Sequence, residues 1–249
     1  MGSFTESLRL AMAMATSWDP ALWQVVGLSL QVSGTATLIG AVVGLFGGAW
    51  LAVARFPGHS LVVVLLNTLL ALPSVVVGLV VYLMLSRTGP LGSWGILFTP
   101  TAMVVAQSVL VVPVVTALTR QLVSDASQGN GEQLRSLGAR PLTVAGLLLL
   151  HERWALLTVL LTAFGRAVSE VGAVMIVGGN IAGVTRVMTT TIALETSKGD
   201  LPLALGLGIV LLSVVALINL GIAGMQWLQR EQEGSGRRAK GASPAGGRA

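Results

Sequence analysis

Residues 62–83 read VVVLLNTLLALPSVVVGLVVYL, a run without a single charged side chain. Apolar residues in this run do not alternate with polar ones, as they would in the strands of a membrane barrel. The run is also long enough for a helix to cross a hydrocarbon core about 30 Å thick, which takes about 20 apolar residues. It therefore predicts a membrane-spanning helix. Its valines do not argue against this, because all-apolar surroundings override their preference for strands.

The rest of the 249-residue chain has the same character. Its residues are 53% hydrophobic and only 10% charged, with a mean hydropathy of +0.83, whereas soluble domains carry about 25% charged residues. The windows 20–54, 57–86, 88–119 and 201–229 contain no charged residue, and 154–185 is interrupted only by Arg166 and Glu170. The chain is therefore predicted to be an all-α polytopic membrane protein. Its five expected spans lie near 24–53, 61–85, 100–122, 154–178 and 203–228.

Basic residues favour one orientation of these spans. If the N-terminus lies outside, the inner segments hold ten of the 15 Lys and Arg residues, the outer segments hold four, and Arg166 lies within a span. The inner ones are Arg55, Arg120, Arg135, Arg140, Arg153, Arg230, Arg237, Arg238, Lys240 and Arg248, and the outer ones are Arg9, Arg87, Arg186 and Lys198. Because basic residues accumulate on the cytoplasmic side, we expect the N-terminus outside and the C-terminus in the cytoplasm. This also accounts for the net charge of +5 without nucleic-acid binding.

The same pattern divides the chain into three parts. Residues 1–20 are expected to form an extracytoplasmic segment, 21–229 the transmembrane domain and 230–249 a basic cytoplasmic tail. The composition of the tail predicts disorder, and the tail is either solvated or in contact with anionic lipid. The first residues lack a basic region before an apolar core, so no cleaved signal peptide is expected. With no cysteine and two histidines, disulfides and thiolate sites are excluded and no metal site is predicted.

Small and polar residues inside the spans predict how the helices pack. Gly40, Gly44 and Gly48 recur every four residues, so they share a helix face that a second backbone can approach closely. That face is either structural or part of a moving gate. Kinks are expected at Pro73 and Pro113. Hydrogen bonds between helices are expected from the polar residues at membrane depth, which are Asn67, Thr68, Gln107, Ser108 and Asn219.

Arg166 and Glu170 are the ionisable residues of the fourth predicted span. They are four residues apart, so they are expected to share a helix face and to pair. A lone charge at mid-bilayer costs about 3 kcal/mol, and pairing lowers that cost. The pair either locks the span to its neighbours or lies on a pathway, where Arg166 would offer its charge to a passing anion.

Residues 132–153 read EQLRSLGARPLTVAGLLLLHER and separate two apolar windows. Pro141 is expected to end a short polar helix of about 132–140. The chain has no Gly-x4-Gly-Lys-Ser/Thr motif, so it shows no ATP site of its own, and energy must come from a partner or an ion gradient. The segment 130–153 is therefore predicted to dock a water-soluble partner. Glu132, Arg135 and Arg140 are left for polar contacts with that partner, and Gly138 lets its surface come close.

Two stretches resemble the permease subunits of bacterial binding-protein-dependent ABC importers. The EAA loop of these subunits reads Glu-Ala-Ala, three residues, Gly, nine residues, Ile, one residue, Leu-Pro; Glu132, Gly138 and Leu150 match it, whereas the alanines and the proline do not. Molybdate and sulfate permeases have an Arg-Ala-x-x-Glu-x-Gly run followed by Gly-Asn. The similar residues here are Arg166, Ala167, Glu170, Gly172, Gly179 and Asn180. The continuation over 185–200 looks like the tungstate branch in particular.

This resemblance implies a homodimeric permease of the type I (MetI-like) architecture in the bacterial inner membrane. It would import tungstate, or molybdate or sulfate, by alternating access. Two cytoplasmic ATPase subunits would bind ATP-Mg and an extracytoplasmic protein would deliver the oxyanion, so the chain itself would be no enzyme and hold no cofactor. The implied ATPase-coupling residues are Glu132, Arg135, Gly138 and Leu150. The pathway candidates are Arg166, Glu170, Gly172, Gly179 and Asn180.

Two other classes of protein stay open. A secondary transporter would use Arg166 and Glu170 as its coupling pair for H⁺ or Na⁺, although such carriers usually show internal repeats and none is evident here. A membrane enzyme would need a cluster of catalytic groups, and only this pair lies at membrane depth. The predicted outer loop, 178–200, begins with turn-prone glycines and continues into a short helix near 189–197. That loop is either a dock for an extracytoplasmic partner or an ordinary connection.

Overall fold

A computed structural model describes residues 20–128, 136 and 138–241, together with Thr5, Arg9 and Ala13; for 21, 225 and 228–241 it describes the backbone only. Within these residues the chain forms α-helices and one 3-10 turn, Gly92–Trp94, and no strand. The helices are α1 (Pro20–Val53), α2 (His59–Leu70), α3 (Ser74–Leu85), α4 (Pro100–Ala126), α5 (Pro141–His151), α6 (Arg153–Val168), α7 (Gly172–Gly178), α8 (Met188–Lys198) and α9 (Leu201–Gly241). The predicted all-α fold is confirmed.

The number of spans agrees with the expectation of five if bent helices are counted in pairs. Three stretches are each long and apolar enough to cross a membrane, namely Leu22–Val53, Pro100–Ala126 and Leu201–Gly224. Helices α2 and α3 form a pair bent by 101°, and α5 and α6 form a pair bent by 76°. Each pair is apolar and long enough in total to make one further span.

Pro73 accounts for the first bend. Helix α2 ends at Leu70, and Pro73 stands in extended conformation (φ −63°, ψ 128°) just before α3 begins. A proline is tolerated at a helix start, where N–H groups have no partner within the helix, but not in its interior. The kink predicted at this proline is therefore a break between two helices. Pro113, by contrast, lies inside α4, which continues to Ala126 without interruption.

The glycine face of α1 packs directly on α4. A Cβ atom at Gly44 would lie 2.7 Å from Cβ of Val115, and one at Gly48 would lie 2.5 Å from the carbonyl oxygen of Thr116. Both distances are too short for real contacts, so the two backbones approach as only glycine allows. The predicted close approach is confirmed, and its role in this conformation is to pack the two longest buried spans together.

The fourth predicted span, 154–178, is wrong as a single helix. Helix α6 ends at Val168, and the separate short helix α7 begins at Gly172. The reason lies in packing, because a Cβ atom at Gly172 would lie 2.7 Å from Cγ2 of Val75 and 3.1 Å from its backbone nitrogen. The start of α7 thus rests on the start of α3. The apolar residues that complete the fourth span instead precede α6, in α5.

The segment after α7 forms the expected turn and short helix. Gly179 (φ 70°) and Asn180 (φ 51°) both take left-handed backbone conformations, and α8 covers the predicted helix near 189–197. Gly199 (φ 84°) ends α8 before α9 begins. Helix α9 is described as far as Gly241 and so includes part of the tail expected over 230–249. Residues 242–249 lie outside the described part of the chain.

The surface of the folded chain has the apolar character of a membrane protein. One buried cluster joins α3, α4 and α7 through Val81, Ala102 and Val177, and a second joins the end of α1 to α4 and α5. Many large apolar side chains nevertheless remain exposed, including Leu38, Val42 and Phe46 on α1 and Leu212, Leu217 and Leu220 on α9. Exposed apolar surface of this extent indicates contact with lipid or with other membrane helices.

Candidate functional site

Five polar side chains from four parts of the fold meet inside the bundle. They are Ser29 and Ser33 of α1, Gln107 of α4, Glu170 between α6 and α7, and Thr189 of α8. We call these five residues the polar seam. All except the half-buried Glu170 are more than nine-tenths buried, and polar groups are costly at such depth unless they are bonded or functional.

The polar seam is closed in this structure. The cavity that it lines measures about 10 Å³, which is close to the least space that one water molecule needs. A molecule of several heavy atoms cannot enter it in this conformation.

Two hydrogen bonds fasten the seam across long sequence distances. Ser29 Oγ accepts a bond of 2.8 Å from the N–H of Met188, which is the first residue of α8. Gln107 Nε2 donates a bond of 2.9 Å to the carbonyl oxygen of Ala167 in the last turn of α6. The hydrogen bond between helices expected of Gln107 is therefore confirmed. Its Oε1 is buried and has no partner among the described residues.

Two of the other polar residues expected to link helices bond within their own helix instead. Asn219 Nδ2 donates to the carbonyl oxygen of Val215 at 2.9 Å, and Thr68 Oγ1 donates to that of Val64 at 2.9 Å. In both cases the acceptor is four residues earlier in the same helix. Side chains that satisfy themselves locally can face lipid without a partner helix, and both residues are exposed.

The expected pair of Arg166 and Glu170 is wrong. Because α6 ends at Val168, the two residues do not share a helix face, and in the described part of the chain the ion pair present joins Lys198 to Glu195 at 2.9 Å. Glu170 Oε1 instead accepts the N–H of Ala173 at 3.3 Å, in the first turn of α7. Arg166 is exposed and lines a small cavity together with Gln107 and Glu170.

In this conformation the carboxylate of Glu170 therefore accepts a hydrogen bond from the backbone of α7 rather than pairing with a charge. Its carboxylate stands at the N-terminal end of α7, where free N–H groups favour negative charge. Its carbonyl oxygen accepts a bond of 2.8 Å from Thr189 Oγ1, so the same residue ties α7 to α8. A secondary transporter built on an Arg166–Glu170 pair loses its coupling element in this geometry.

The remaining pathway candidates are Gly172, Gly179 and Asn180, and they lie outside the seam. Gly179 needs its left-handed conformation, and a Cβ atom there would lie 2.8 Å from Cδ1 of Phe98. Asn180 Nδ2 donates to the carbonyl oxygen of Thr190 at 3.4 Å and so holds the turn against α8. Gly172 lets α7 approach α3, as described above. None of these three lines the closed cavity of the seam.

The expected coupling segment is described only in part. Glu132 and Arg135 lie outside the described residues, so their predicted contacts stay predictions. Gly138 has φ +83°, which excludes a helix running through it to Arg140, so the expected extent of 132–140 is wrong at its end. Among the described residues, which leave out 129–135 and 137, nothing lies within 4 Å of a Cβ built at Gly138. The glycine is thus required within the chain by its backbone conformation. Leu150, on α5, is 70% exposed.

Comparison with known proteins identifies the family. The tungstate uptake system permease protein TupB of Peptoclostridium acidaminophilum is 44% identical over 230 residues, which cover 91% of this chain and 99% of that protein. This chain belongs to the family of oxyanion ABC transporter permeases. A "Probable anion ABC transporter permease protein" of Haloferax volcanii is 39% identical over 203 residues, or 80% of this chain and 88% of that one. The molybdenum transport system permease protein ModB of Escherichia coli is 30% identical over 236 residues, or 86% and 97%. No protein-family profile matches the chain.

Most seam residues of this permease were missed by the sequence reasoning. Ser29, Ser33 and Thr189 are short hydroxyl residues that bond their own helix backbone in most membrane helices, so nothing in their spacing distinguishes them. Gln107 carried a usable signal, since an amide at membrane depth needs a partner. Among the described residues, no three His, Cys, Asp or Glu side chains group so that they could hold a metal ion.

Proposed function

We propose that this permease forms the membrane pathway of an ATP-driven importer for tungstate. The observation that carries the proposal is the 44% identity over 99% of a tungstate uptake permease, together with the similar residues 185–200. We further propose that the chain works as a homodimer with two cytoplasmic ATPase subunits and receives its substrate from an extracytoplasmic binding protein. ATP-Mg would be bound by the ATPase subunits.

The orientation and the coupling segment complete this proposal. The distribution of basic residues supports an N-terminus outside the cell and a cytoplasmic segment 130–153 in the inner membrane. Glu132 and Arg135 would make the polar contacts with the ATPase. Leu150 would contribute an apolar contact, since it is exposed on the helix that follows. Exchanging Glu132 for arginine should then weaken copurification of the ATPase, and unchanged copurification would remove Glu132 from that role.

The polar seam is the part of the permease that would line the pathway. In the closed seam the donors of Ser29, Gln107 and Thr189 bond backbone carbonyl groups. When the seam opens, they would exchange these bonds for bonds to a dianion, which they would hold less strongly than a positive charge would, and transport requires sites weak enough to leave. Glu170 would not touch the anion, because its carboxylate repels negative charge and is used at the start of α7. Movement of the ATPase subunits would shift α5 through the coupling segment and open the seam.

Uptake by the reconstituted complex tests this function. The permease is placed in liposomes with its ATPase and binding protein, and ATP-dependent accumulation of tungstate, molybdate and sulfate is measured in turn. We expect accumulation of tungstate to need ATP and the binding protein and to survive collapse of the H⁺ and Na⁺ gradients. Accumulation that follows an ion gradient and ignores ATP would contradict the proposal.

A further inference from the structure

An open pocket lies beside the polar seam, between the first turns of α1 and the turn before α8. Its volume is about 360 Å³, far more than the closed seam offers and enough for a hydrated tetrahedral anion. The residues that line it are Gln24, Val25, Leu28, Gln31, Ala182, Gly183, Val184 and Arg186. Among the described residues that line the pocket, Arg186 is the charged one.

The guanidinium of Arg186 is incompletely used by the protein. Nη2 donates one long bond of 3.4 Å to the carbonyl oxygen of Asn180. Nε is buried and has no partner among the described residues. A guanidinium has five N–H donors, and a buried donor without a partner calls for an explanation. Arg186 lines the pocket, and the Nη hydrogens that are left over can donate to a ligand there that accepts hydrogen bonds.

The other polar side chains among the described lining residues are Gln24 and Gln31, which are uncharged. Gln24 Nε2 donates to the carbonyl oxygen of Gly183 at 3.4 Å, which ties α1 to the turn. Gln31 lines the same pocket two turns further along α1. A cleft lined by one sign of charge concentrates ions of the opposite sign. Arginine matches the oxygen pairs of tetrahedral oxyanions especially well.

We propose that this pocket, which we call the Arg186 pocket, is an entry site that accepts the tetrahedral oxyanion before it reaches the polar seam. The proposal rests on the proposed function and adds to it a binding site and a residue. Arg186 binds the anion directly, and Gln24 and Gln31 supply further hydrogen bonds. In the proposed orientation the pocket faces the extracytoplasmic side, where the binding protein would release its substrate.

The chain connects this pocket to the seam over a short distance. Leu28 lines the pocket and its neighbour Ser29 lines the seam, while Arg186 is followed by Val187, which also borders the seam. Ser29, one of the residues that line the seam, also bonds the first residue of α8. Separation of α1 from α8 would break this bond and join the pocket to the seam.

Thiol labelling tests the pocket without requiring transport. The chain has no cysteine, so Val184→Cys places a single thiol in the pocket, and Ser197→Cys places one on the exposed face of α8 as a control. Each purified variant is treated with an anionic sulfonatoethyl and a cationic trimethylammonium methanethiosulfonate. We expect the anionic reagent to be favoured about tenfold at position 184 relative to position 197. Adding Arg186→Gln should remove this preference, and tungstate should slow labelling at position 184 only. Equal preference with and without Arg186 would overturn the proposal.

Uptake kinetics then separate this inference from the proposed function. In the reconstituted complex, Arg186→Gln should raise the half-saturating concentration of the loaded binding protein at least about tenfold, and Arg186→Lys should raise it less because it keeps the charge. Copurification of the ATPase should not change in either variant, which controls for folding. Wild-type saturation kinetics in Arg186→Gln would overturn the pocket while leaving the importer intact. If the wild-type complex imported no oxyanion, the proposed function would fail. The thiol labelling would then show on its own whether the Arg186 pocket binds anions.

Discussion

Ser29 and Met188 are 159 residues apart, yet the hydroxyl oxygen of one accepts the backbone N–H of the other at 2.8 Å. The bond fixes the start of α8 against α1. Ser29 also donates to the carbonyl oxygen of Val25 at 2.9 Å, so its single hydroxyl proton is used. Ser29 lines the closed seam, so the contact links a seam residue to the helix that begins two residues after Arg186.

Ser29→Ala should destabilise the closed conformation. It leaves the N–H of the fully buried Met188 without a partner, and such an orphaned donor costs about 1–3 kcal/mol. We expect a lower free energy of unfolding in mixed detergent and a higher basal ATP hydrolysis rate in the complex. Ser213→Ala is the matched control, because Ser213 is exposed and bonds only its own helix, at Ile209. Equal stability of the two variants would contradict the assigned role.

The glycine face of α1 provides a second test, with a control on the same helix. Gly48→Ala places a methyl group 2.5 Å from the carbonyl oxygen of Thr116, whereas Gly27→Ala meets no atom within 4 Å. Overpacking of this kind costs about 1–3 kcal/mol. Thermal unfolding of the purified permease should show Gly48→Ala clearly destabilised and Gly27→Ala unchanged or slightly stabilised. A tolerated Gly48→Ala would mean that α1 and α4 do not pack this closely.

The five spans and the glycine face by which α1 packs on α4 were predictable, because each depends on a pattern that is local in the sequence. Long gaps between charges set the five windows, and the four-residue spacing of Gly40, Gly44 and Gly48 identified the face that meets α4. The break at 169–171 was not predictable in this way. It depends on Gly172 resting on Val75, a contact between residues far apart in sequence. Local pattern made the whole window 154–178 look like one helix.

Glu170 illustrates the same difference at the site. A spacing of four from Arg166 suggested an ion pair, but that inference holds only within a continuous helix. Once the helix ends at Val168, the carboxylate finds a backbone N–H in α7. The Arg186 pocket was likewise hidden, since the sequence presents Arg186 only as one basic residue of an outer loop.

Substitutions at Glu170 distinguish the backbone role from a charge role. Glu170→Gln keeps an oxygen that can accept the N–H of Ala173, whereas Glu170→Ala removes it. Loss of a side chain that caps a helix start costs about 1 kcal/mol. We expect folded yield and uptake close to wild type for the glutamine variant, and reduced yield for the alanine variant. Normal yield with abolished uptake in Glu170→Gln would instead place the charge on the transport pathway.

Substitutions at Gly138 distinguish two reasons for a glycine there, its left-handed backbone conformation and close contact with the ATPase. Its φ of +83° strains any residue with a side chain, but asparagine tolerates the left-handed region better than alanine. If backbone conformation is the requirement, Gly138→Asn should retain more tungstate-stimulated ATP hydrolysis than Gly138→Ala. If close contact with the ATPase is the requirement, the larger asparagine should be worse. Gly146→Ala, in the open helical part of α5, is the control and should behave as wild type.

The most direct test of the whole account is ATP hydrolysis by the permease reconstituted with its ATPase and its binding protein, with tungstate, molybdate or sulfate added in turn. The account predicts that loaded binding protein stimulates hydrolysis, with tungstate effective at a far lower concentration than the other two anions. Equal stimulation by the three anions would contradict the assignment of tungstate. Failure to form any complex with the ATPase would contradict the importer itself.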